Sequence, residues 1–254
     1  MGRLTGKVAI ITGSTQGIGF AIANKLATEG AKVVISSRQE VNVNEAVEKL
    51  KNNGHQNNIS GVVCHVGNKE DRKRLYEEAL NKFGGIDILI SNAAVNPFVG
   101  FTVDCPEDKW DKLFDTNVKS AFLLTKEVVP HLKERKGGSI INISSLAGLQ
   151  PVPMHGPYCV SKTAILGLTR VFADELAQFN IRVNCIAPGL VRTKFAEHIY
   201  ENKILHDAIL SQIPMGRTGE PRDVEGIAAF LCSDDANYIT GETIAVAGGM
   251  HTRL

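Results

Sequence analysis

The sequence predicts an α/β protein in which a doubly wound parallel sheet of about seven strands carries helices on both faces. First, short β-branched apolar runs alternate with amphipathic segments along the chain. Second, these runs are apolar on both faces, as in parallel strands covered by helices, and right-handed crossovers then wind the sheet in both directions. Third, no linker rich in Pro, Gly or Ser divides the 254 residues, which favours a single domain.

The individual elements follow from the period at which apolar residues recur. The predicted strands cover residues 7–12, 31–36, 60–65, 87–91, 139–144, 182–187 and 243–247. The predicted helices cover residues 18–29, 42–53, 69–83, 107–133 and 157–178. In the helix 107–133, apolar residues recur at three- and four-residue steps and are predicted to be core residues: Trp110, Leu113, Phe114, Val118, Ala121 and Phe122.

The regular pattern weakens between about residues 193 and 215. This segment follows the carboxyl end of a predicted strand, where open α/β sheets bind their ligands, so we interpret it as a substrate lid. The alternative is a surface helical hairpin that only packs on the domain.

Composition excludes several classes of function. The chain has 28 Lys and Arg against 27 Asp and Glu, so no nucleic-acid partner is expected. No apolar run is long enough to span a membrane. The five cysteines are odd in number and widely scattered, which indicates a reducing compartment, and the seven histidines suggest no metal site.

A glycine-rich turn lies between the first strand and the first helix, within a β-α-β pattern. Glycines at this point allow the backbone to approach a pyrophosphate, which the N–H groups of the helix N-terminus can bind. A glycine triplet alone indicates only a tight turn, but this context favours a nucleotide site. Its predicted residues are Gly13, Thr15, Gln16, Gly17, Ile18 and Gly19.

The end of the second predicted strand indicates which nicotinamide cofactor binds. An NAD site places a carboxylate there for the ribose 2′-hydroxyl, whereas this chain has Ser37 and Arg38. Arg38 can pair with a 2′-phosphate, and Ser37 can add a hydroxyl, so NADP(H) is predicted. The alternative is a solvated surface arginine.

Tyr158 and Lys162 form the predicted catalytic pair. They are four residues apart at the start of a predicted helix, which puts them on one face with Cβ atoms about 5–6 Å apart. A lysine ammonium beside a phenol favours the phenolate, so we expect a lowered pKa for Tyr158. Ser145 could donate a hydroxyl to a substrate oxygen. A lone Tyr-x-x-x-Lys would more simply be a boundary tyrosine and a solvated lysine; the upstream nucleotide site changes that balance.

Together these residues resemble the short-chain dehydrogenase/reductase family, which has a Rossmann-type fold. The resemblance runs from residue 7 to residue 249 and implies that Ser145, Tyr158, Lys162 and Asn117 are catalytic. The Asn-Ala-Gly motif of the family appears with Ala94 in the third place, and His65 stands where the family usually has Asp. The resemblance also implies further cofactor contacts at His65, Val66, Asn92, Ala93, Ala94, Tyr158, Lys162, Pro188, Gly189, Val191 and Thr193.

The family's reaction gives each catalytic residue a role. A nicotinamide donates hydride to a carbonyl carbon while Tyr158 protonates the oxygen that Ser145 holds. Lys162 stabilises the phenolate and binds the nicotinamide ribose. Asn117 binds a water that connects Lys162 to solvent.

Within the family, the stretches GGIDILISNAAVNPF and YITGETIAVAGG resemble the member 4 group. That group contains NADP-dependent carbonyl reductases, also described as retinol dehydrogenases, which are peroxisomal homotetramers. The resemblance implies a hydrophobic carbonyl or alcohol substrate and import through Thr252-Arg253-Leu254; an ordinary C-terminus and a cytoplasmic location are the alternative. The apolar residues predicted to contact substrate are Phe98, Val99, Leu149, Val152, Met154, Phe195 and Ile199.

Three other functions remain open at this level. A 3-oxoacyl thioester reductase or a hydroxysteroid dehydrogenase would use the same fold. A nucleotide-sensing binding protein would keep the fold without turnover, which the intact Ser145, Tyr158 and Lys162 argue against. A purely structural oligomer subunit is the third.

Overall fold

The molecule is built on one parallel sheet, and the computed structural model describes residues 2–250 apart from the side chain of His198. The strands are β1 (Val8–Ile11), β2 (Lys32–Ser37), β3 (Ile59–Val63), β4 (Ile88–Ser91), β5 (Gly138–Ile143), β6 (Ile181–Pro188) and β7 (Thr243–Val246). Their order across the sheet is β3-β2-β1-β4-β5-β6-β7, and all neighbours are parallel. The strand order reverses between β1 and β4, which confirms the predicted doubly wound sheet.

The helices cover both faces of this sheet. They are α1 (Gly17–Thr28), α2 (Glu40–Leu50), α3 (Lys69–Phe83), α4 (Glu107–Phe114), α5 (Ser120–Glu134), α6 (Gly156–Leu176), α7 (Glu197–Glu201), α8 (Lys203–Leu210) and α9 (Pro221–Cys232). Buried residues of α1, α2 and α9 form one hydrophobic cluster with the sheet, and those of α3, α5 and α6 form a second. Successive strand residues alternate between the two clusters, as Ile10 and Ile11 of β1 do.

Helix α9 is absent from the sequence-based assignment. It starts at Pro221, and the Asp223 carboxylate accepts a hydrogen bond of 2.8 Å from the backbone N–H of Glu220. Its buried Val224, Ala228 and Leu231 contribute to the core cluster that also contains α1. These capping and spacing signals were present in the sequence.

The single helix predicted over residues 107–133 is wrong in one respect, because a π-helical turn, Asp115–Lys119, separates α4 from α5. The prediction that its apolar residues are core is also only partly right. Leu113 and Ala121 are buried, whereas Phe122 is 41% exposed. Trp110, Phe114 and Val118 are half-buried, and the Trp110 and Phe114 rings stack 4.7 Å apart. Only part of the predicted apolar face is therefore buried.

None of the helices within residues 2–250 is long and apolar enough to cross a membrane. The proposed import signal, Thr252-Arg253-Leu254, lies outside the described residues. The loops that follow β1, β2, β3, β4, β5 and β6 converge at the carboxyl edge of the sheet, where they enclose the candidate site.

Candidate active site

The glycine-rich turn after β1 is locked to the loop after β4. The Thr12 hydroxyl accepts hydrogen bonds from the backbone N–H groups of Asn92 and Ala93, both at 3.1 Å. In the opposite direction, the Asn92 amide donates to the carbonyls of Thr12 at 2.9 Å and Gly13 at 2.8 Å. The two loops at the point where the strand order reverses therefore form one rigid unit.

Close backbone approach explains the glycines of this turn. Gly13 has φ +59°, and a Cβ there would lie 2.9 Å from the Cα of Ala93. A Cβ on Gly19 would lie 2.6 Å from the Asn92 amide nitrogen. The first turn of α1 carries no acidic side chain, so its N–H groups and positive dipole end are available to an anion. A cradle of this kind fits the diphosphate of a dinucleotide.

A single cavity of about 400 Å³ extends from this turn to the predicted catalytic residues. It is lined by every residue predicted to contact the cofactor: Gly13, Thr15, Gln16, Gly17, Ile18, Gly19, Ser37, Arg38, His65, Val66, Asn92, Ala93, Ala94, Tyr158, Lys162, Pro188, Gly189, Val191 and Thr193. Ser145 lines it as well, whereas Asn117 does not. The structure thus brings all but one of the predicted catalytic and cofactor-binding residues to one cavity.

The Lys, Arg, Asp and Glu residues among the described lining of this cavity are all basic. Among the described residues that line it are Arg38, Lys162 and Lys194, and no Asp or Glu. Arg38 is exposed at the end of β2, and no ion pair engages it within residues 2–250. The cavity therefore favours an anionic ligand. No group of three or more side chains suited to a metal ion is found in the described part of the chain.

Ser145, Tyr158 and Lys162 meet where β5 ends against α6. Lys162 is only 3% exposed; its Nζ donates to the carbonyl of Ile143 at 2.9 Å and lies 5.6 Å from the centre of the Tyr158 ring. The Ser145 side chain is hydrogen bonded to the Tyr158 phenol. The neighbouring Ser144 donates instead to the backbone carbonyl of Lys162 at 2.8 Å, so it ties β5 to α6.

Burial dominates the acidity of the pair. It raises the pKa of the Tyr158 phenol above its usual value, and the hydrogen bond with Ser145 offsets this only in part. The side chain of Tyr158 is half-buried on the cavity wall, with protein packed closely around its hydroxyl. Burial also lowers the pKa of Lys162 to about 8. The expectation that Lys162 lowers the pKa of Tyr158 is therefore wrong for this structure, because desolvation of the phenolate is the largest effect on that pKa and Lys162 is not among the groups that shift it.

Asn117 is buried in the π-helical turn, with its amide fully engaged. Its Oδ1 accepts from the backbone N–H of Val95 at 2.8 Å, and its Nδ2 donates to the Val95 carbonyl at 2.9 Å and to the Ser161 hydroxyl at 3.1 Å. The side chain thus holds the loop after β4 against α6. Its implied role in a water relay to Lys162 stays a prediction.

The two ends of the segment interpreted as a lid are hydrogen bonded to each other. Val191 pairs with Gly219, and the N–H of Arg192 donates to the Gly219 carbonyl at 2.8 Å. Between these points lie a short 3₁₀ turn and helices α7 and α8. The Phe195 ring lies 5.9 Å from the Tyr158 ring, so this segment contacts the predicted catalytic tyrosine.

The apolar wall differs from the predicted one. Val152, Phe195 and Ile199 line the cavity as predicted. Phe98, Val99, Leu149 and Met154 do not line it; Val99 and Met154 are exposed, and Leu149 packs against a small core cluster, so their contact with substrate stays a prediction. Lining residues that sequence reasoning missed include Ile143, Leu190 and Met250.

A glycine cradle at the reversal point of a parallel sheet, joined by one cavity to a serine, a tyrosine and a buried lysine, defines a nicotinamide-dependent oxidoreductase. The comparison with protein families agrees. The model described as enoyl-(acyl carrier protein) reductase matches residues 13–251. The chain belongs to the short-chain dehydrogenase/reductase family.

Individual relatives cover nearly the whole chain. The dehydrogenase/reductase SDR family member 4 of Bos taurus is 54% identical over 99% of this chain and 89% of its own length. A protein from Agrobacterium tumefaciens, provisionally described as a gluconate dehydrogenase, has a solved structure with a TM-score of 0.93 and 32% identity, covering 99% of this chain and 98% of that one. Another from Beutenbergia cavernae, provisionally described as an NAD(P)-dependent gluconate 5-dehydrogenase, has a TM-score of 0.91 and 31% identity, covers 97% of each chain, and holds NADP at low occupancy.

Proposed function

We propose that this chain is an NADP(H)-dependent reductase of hydrophobic carbonyl compounds, such as retinal, aromatic ketones and α-dicarbonyls, which also oxidises the corresponding alcohols. One observation carries the proposal. The cavity that contains Ser145, Tyr158 and Lys162 continues without interruption to the glycine cradle and Arg38. A carbonyl near Tyr158 and a cofactor on the cradle would therefore share one enclosure.

The preference for NADP(H) rests on charge. Ser37 and Arg38 line the cavity at the end of β2, and no carboxylate is among the described lining residues. An arginine there can pair with a 2′-phosphate, whereas a carboxylate would repel it. The NADP in the Beutenbergia cavernae structure supports the same choice.

The bound nicotinamide would supply the hydride, and the residues of the chain would supply the proton and the orientation. Because burial raises the pKa of Tyr158, the phenol is protonated at neutral pH and is ready to act as an acid in reduction. Ser145, hydrogen bonded to that phenol, would hold the substrate oxygen beside it. Lys162, close to the ring, would stabilise the phenolate left after proton transfer.

The apolar wall supports a hydrophobic substrate. Val152, Phe195, Ile199 and Ile209 contribute to it, and Phe195 and Ile199 belong to the segment that we propose as a lid. A 3-oxoacyl thioester reductase or a hydroxysteroid dehydrogenase remains the alternative activity on this fold. A nucleotide-sensing binding protein would not need Ser145 and Lys162 arranged around Tyr158.

Assembly and location belong to the same proposal. We expect a homotetramer, because apolar side chains stay exposed on α5 and α6, and peroxisomal import through Thr252-Arg253-Leu254. Fusing the last residues of the chain to a fluorescent protein, with and without Leu254, would test import by microscopy.

A panel of carbonyls followed by NADPH absorbance tests the activity. The panel contains retinal, an aromatic diketone, a 3-ketosteroid and an acetoacetyl thioester, with Tyr158→Phe as the matched control. We expect turnover of the first two by the wild type and a loss of about 10²–10⁴-fold in kcat in the variant, with NADPH binding retained. Preference for the thioester or the steroid would support the alternative activity, and equal turnover by both proteins would exclude Tyr158 as the acid.

A further inference from the structure

Arg72 is a buried charge for which the proposed reaction has no use. It lies in the first turn of α3, directly after the loop that follows β3, and is only 3% exposed. Burying a guanidinium is unfavourable unless its donors find partners, so the position of Arg72 requires an explanation.

Its hydrogen bonds join two helices to the cavity wall. The Nε and Nη2 atoms donate to the two carboxylate oxygens of Glu127 on α5, at 2.9 Å and 2.8 Å. The remaining Nη1 donates to the backbone carbonyl of Val66 at 2.8 Å. Glu127 is 28% exposed, which lessens the desolvation of the pair. Arg72 therefore holds the backbone of Val66, a residue that lines the cavity.

The rest of this loop is fixed by the same turn of α3. The Asp71 carboxylate accepts from the backbone N–H of His65 at 2.8 Å. The Asn68 side chain caps the helix by accepting from the N–H groups of Glu70 at 2.9 Å and Asp71 at 3.1 Å. Since His65 and Val66 both line the cavity, the first turn of α3 sets the shape of its wall at the end of β3.

We propose that Arg72, anchored by Glu127, is a positioning residue for the adenosine half of the cofactor. The inference rests on the proposed function, in which Arg38 at the end of β2 binds the 2′-phosphate of the adenosine. Because β3 pairs with β2, His65 and Val66 follow the neighbouring strand end, on the adenosine side of the cavity. With Val66 held in place, the wall is formed before the cofactor arrives, and binding does not have to order the loop. Without Arg72, that ordering would weaken binding of any ligand that carries the adenosine, while chemistry at Tyr158 would be unaffected.

The test compares four variants with the wild type. Removing Arg72 alone leaves Glu127 unpaired, so the main variant is the double replacement Arg72→Met/Glu127→Leu, because apolar replacement of a whole buried pair is often neutral for stability. Glu127→Gln keeps the Arg72 hydrogen bond to the Val66 carbonyl. Arg72→Lys keeps a cation at this position and, compared with the double variant, provides a donor again. The matched control is Lys73→Met, which removes a cation from the same turn that is 66% exposed.

Binding of NADPH and of adenosine 2′,5′-bisphosphate is measured by titration, together with Tm and kcat at saturating NADPH. For the double variant we expect Kd to rise about tenfold for both ligands, the effect of losing one hydrogen bond. Its kcat should stay within about twofold, since only binding is affected. Arg72→Lys should recover part of the affinity, and Glu127→Gln and Lys73→Met should bind nearly as the wild type does.

Two results would overturn the proposal. One is a folded double variant with wild-type affinity for both ligands. The other is a loss of kcat and Tm that parallels the loss of affinity, which would indicate a general structural role. Failure of the wild type to bind either ligand would instead remove the proposed function; if it prefers NADH, the same comparison applies with NADH and AMP.

Discussion

At the scale of single residues, the charged form of Lys162 is less stable in the folded protein than in water. Its ammonium is buried beside Tyr158, and within residues 2–250 its side chain donates to one carbonyl, that of Ile143. Burial lowers its pKa from 10.5 to about 8. Since one pKa unit corresponds to about 1.4 kcal/mol, holding the cation in the fold at pH 7 costs roughly 3 kcal/mol.

This penalty predicts a pH dependence of stability. Between pH 8 and 10.5 the unfolded chain keeps the Lys162 proton that the folded protein has released, so the free energy of unfolding rises with pH in that window. Below pH 8 both states hold the proton and the full penalty remains. Relative to Lys162→Met, the wild type should therefore gain roughly 3 kcal/mol between pH 7 and pH 10.5.

Urea unfolding of both proteins at the two pH values would measure that gain. Comparing the two proteins cancels the titration of the cysteines, which both share. The matched control is Lys126→Met, on the exposed side of α5, which should show no such change relative to the wild type. A constant difference between the wild type and Lys162→Met across this range would mean that Lys162 is not desolvated in the folded protein.

A second single residue, Arg38, is expected to set the preference for NADP(H) over NAD(H). Arg38→Asp replaces a cation that could pair with a 2′-phosphate by a carboxylate that repels it and can accept from a 2′-hydroxyl. We expect the ratio of kcat/KM for NADPH over NADH to fall by about 10²-fold or more, the effect of losing a charge-assisted pair and adding a repulsion. The control Lys49→Asp makes the same change in net charge on the exposed side of α2. An unchanged ratio in Arg38→Asp would remove the argument for NADP(H).

Among the elements, those with a local signal were predictable. The strands are short β-branched runs, and the cofactor turn combines glycines with a strand and a helix on either side. Helix α3 was predicted with the bounds that the structure shows, Lys69–Phe83. In the structure Asn68 caps it and Gly84 ends it in the left-handed conformation, both of which are local signals. The signals for α9 were equally local but were not used.

Elements that depend on distant contacts could not be predicted in the same way. The wall around the substrate site is shaped by pairing of Gly100 with His155, two segments far apart in the chain. Met154, next to this pairing, has φ +64°, and a conformation set by such a long-range contact has no local signal in the sequence. The π-helical turn at Asn117 keeps a helical pattern of apolar residues, so its altered hydrogen bonding leaves no trace in the sequence.

The lid segment predicts a selective effect on substrates. Phe195, in contact with the Tyr158 ring and 46% exposed, can stack on an aromatic substrate. We expect Phe195→Ala to lower kcat/KM roughly 3–10-fold for an aromatic ketone, the value of one aromatic contact, and to leave a small aliphatic diketone nearly unchanged. Ile204→Ala, which removes a residue of α8 that is 84% exposed, is the control. Equal losses for both substrates in Phe195→Ala would mean that the segment does not select them.

At the scale of the whole molecule, the parallel sheet accounts for the position of the site. Parallel strands place all their carboxyl ends at one edge, so loops that are far apart in sequence meet there. Residues after β1, β2, β3, β4, β5 and β6 all line the one cavity. The outer surfaces of α5, α6 and β7 are different, because the folding of one chain leaves apolar side chains exposed there.

Those uncovered side chains predict the assembly. Phe122 on α5 is 41% exposed and stacks on Phe172 of α6, and Val160 and Val171 of α6 are 46% and 54% exposed. All four residues of the edge strand β7 are also only partly buried. Exposed apolar surface and an open strand edge are unfavourable in a monomer and typical of subunit interfaces, so two kinds of interface, and hence a tetramer, are expected.

Sedimentation velocity at micromolar concentration tests this expectation. The wild type should sediment as a tetramer, and Phe122→Glu/Val171→Glu should sediment as a smaller species, because burying two unpaired carboxylates opposes association on the α5 and α6 face. Since the β7 edge is untouched, that species should be a dimer. Val41→Glu, on α2 and 67% exposed, is the control and should remain tetrameric. A monomeric wild type, or a double variant that stays tetrameric, would contradict the assignment of this face to a subunit interface.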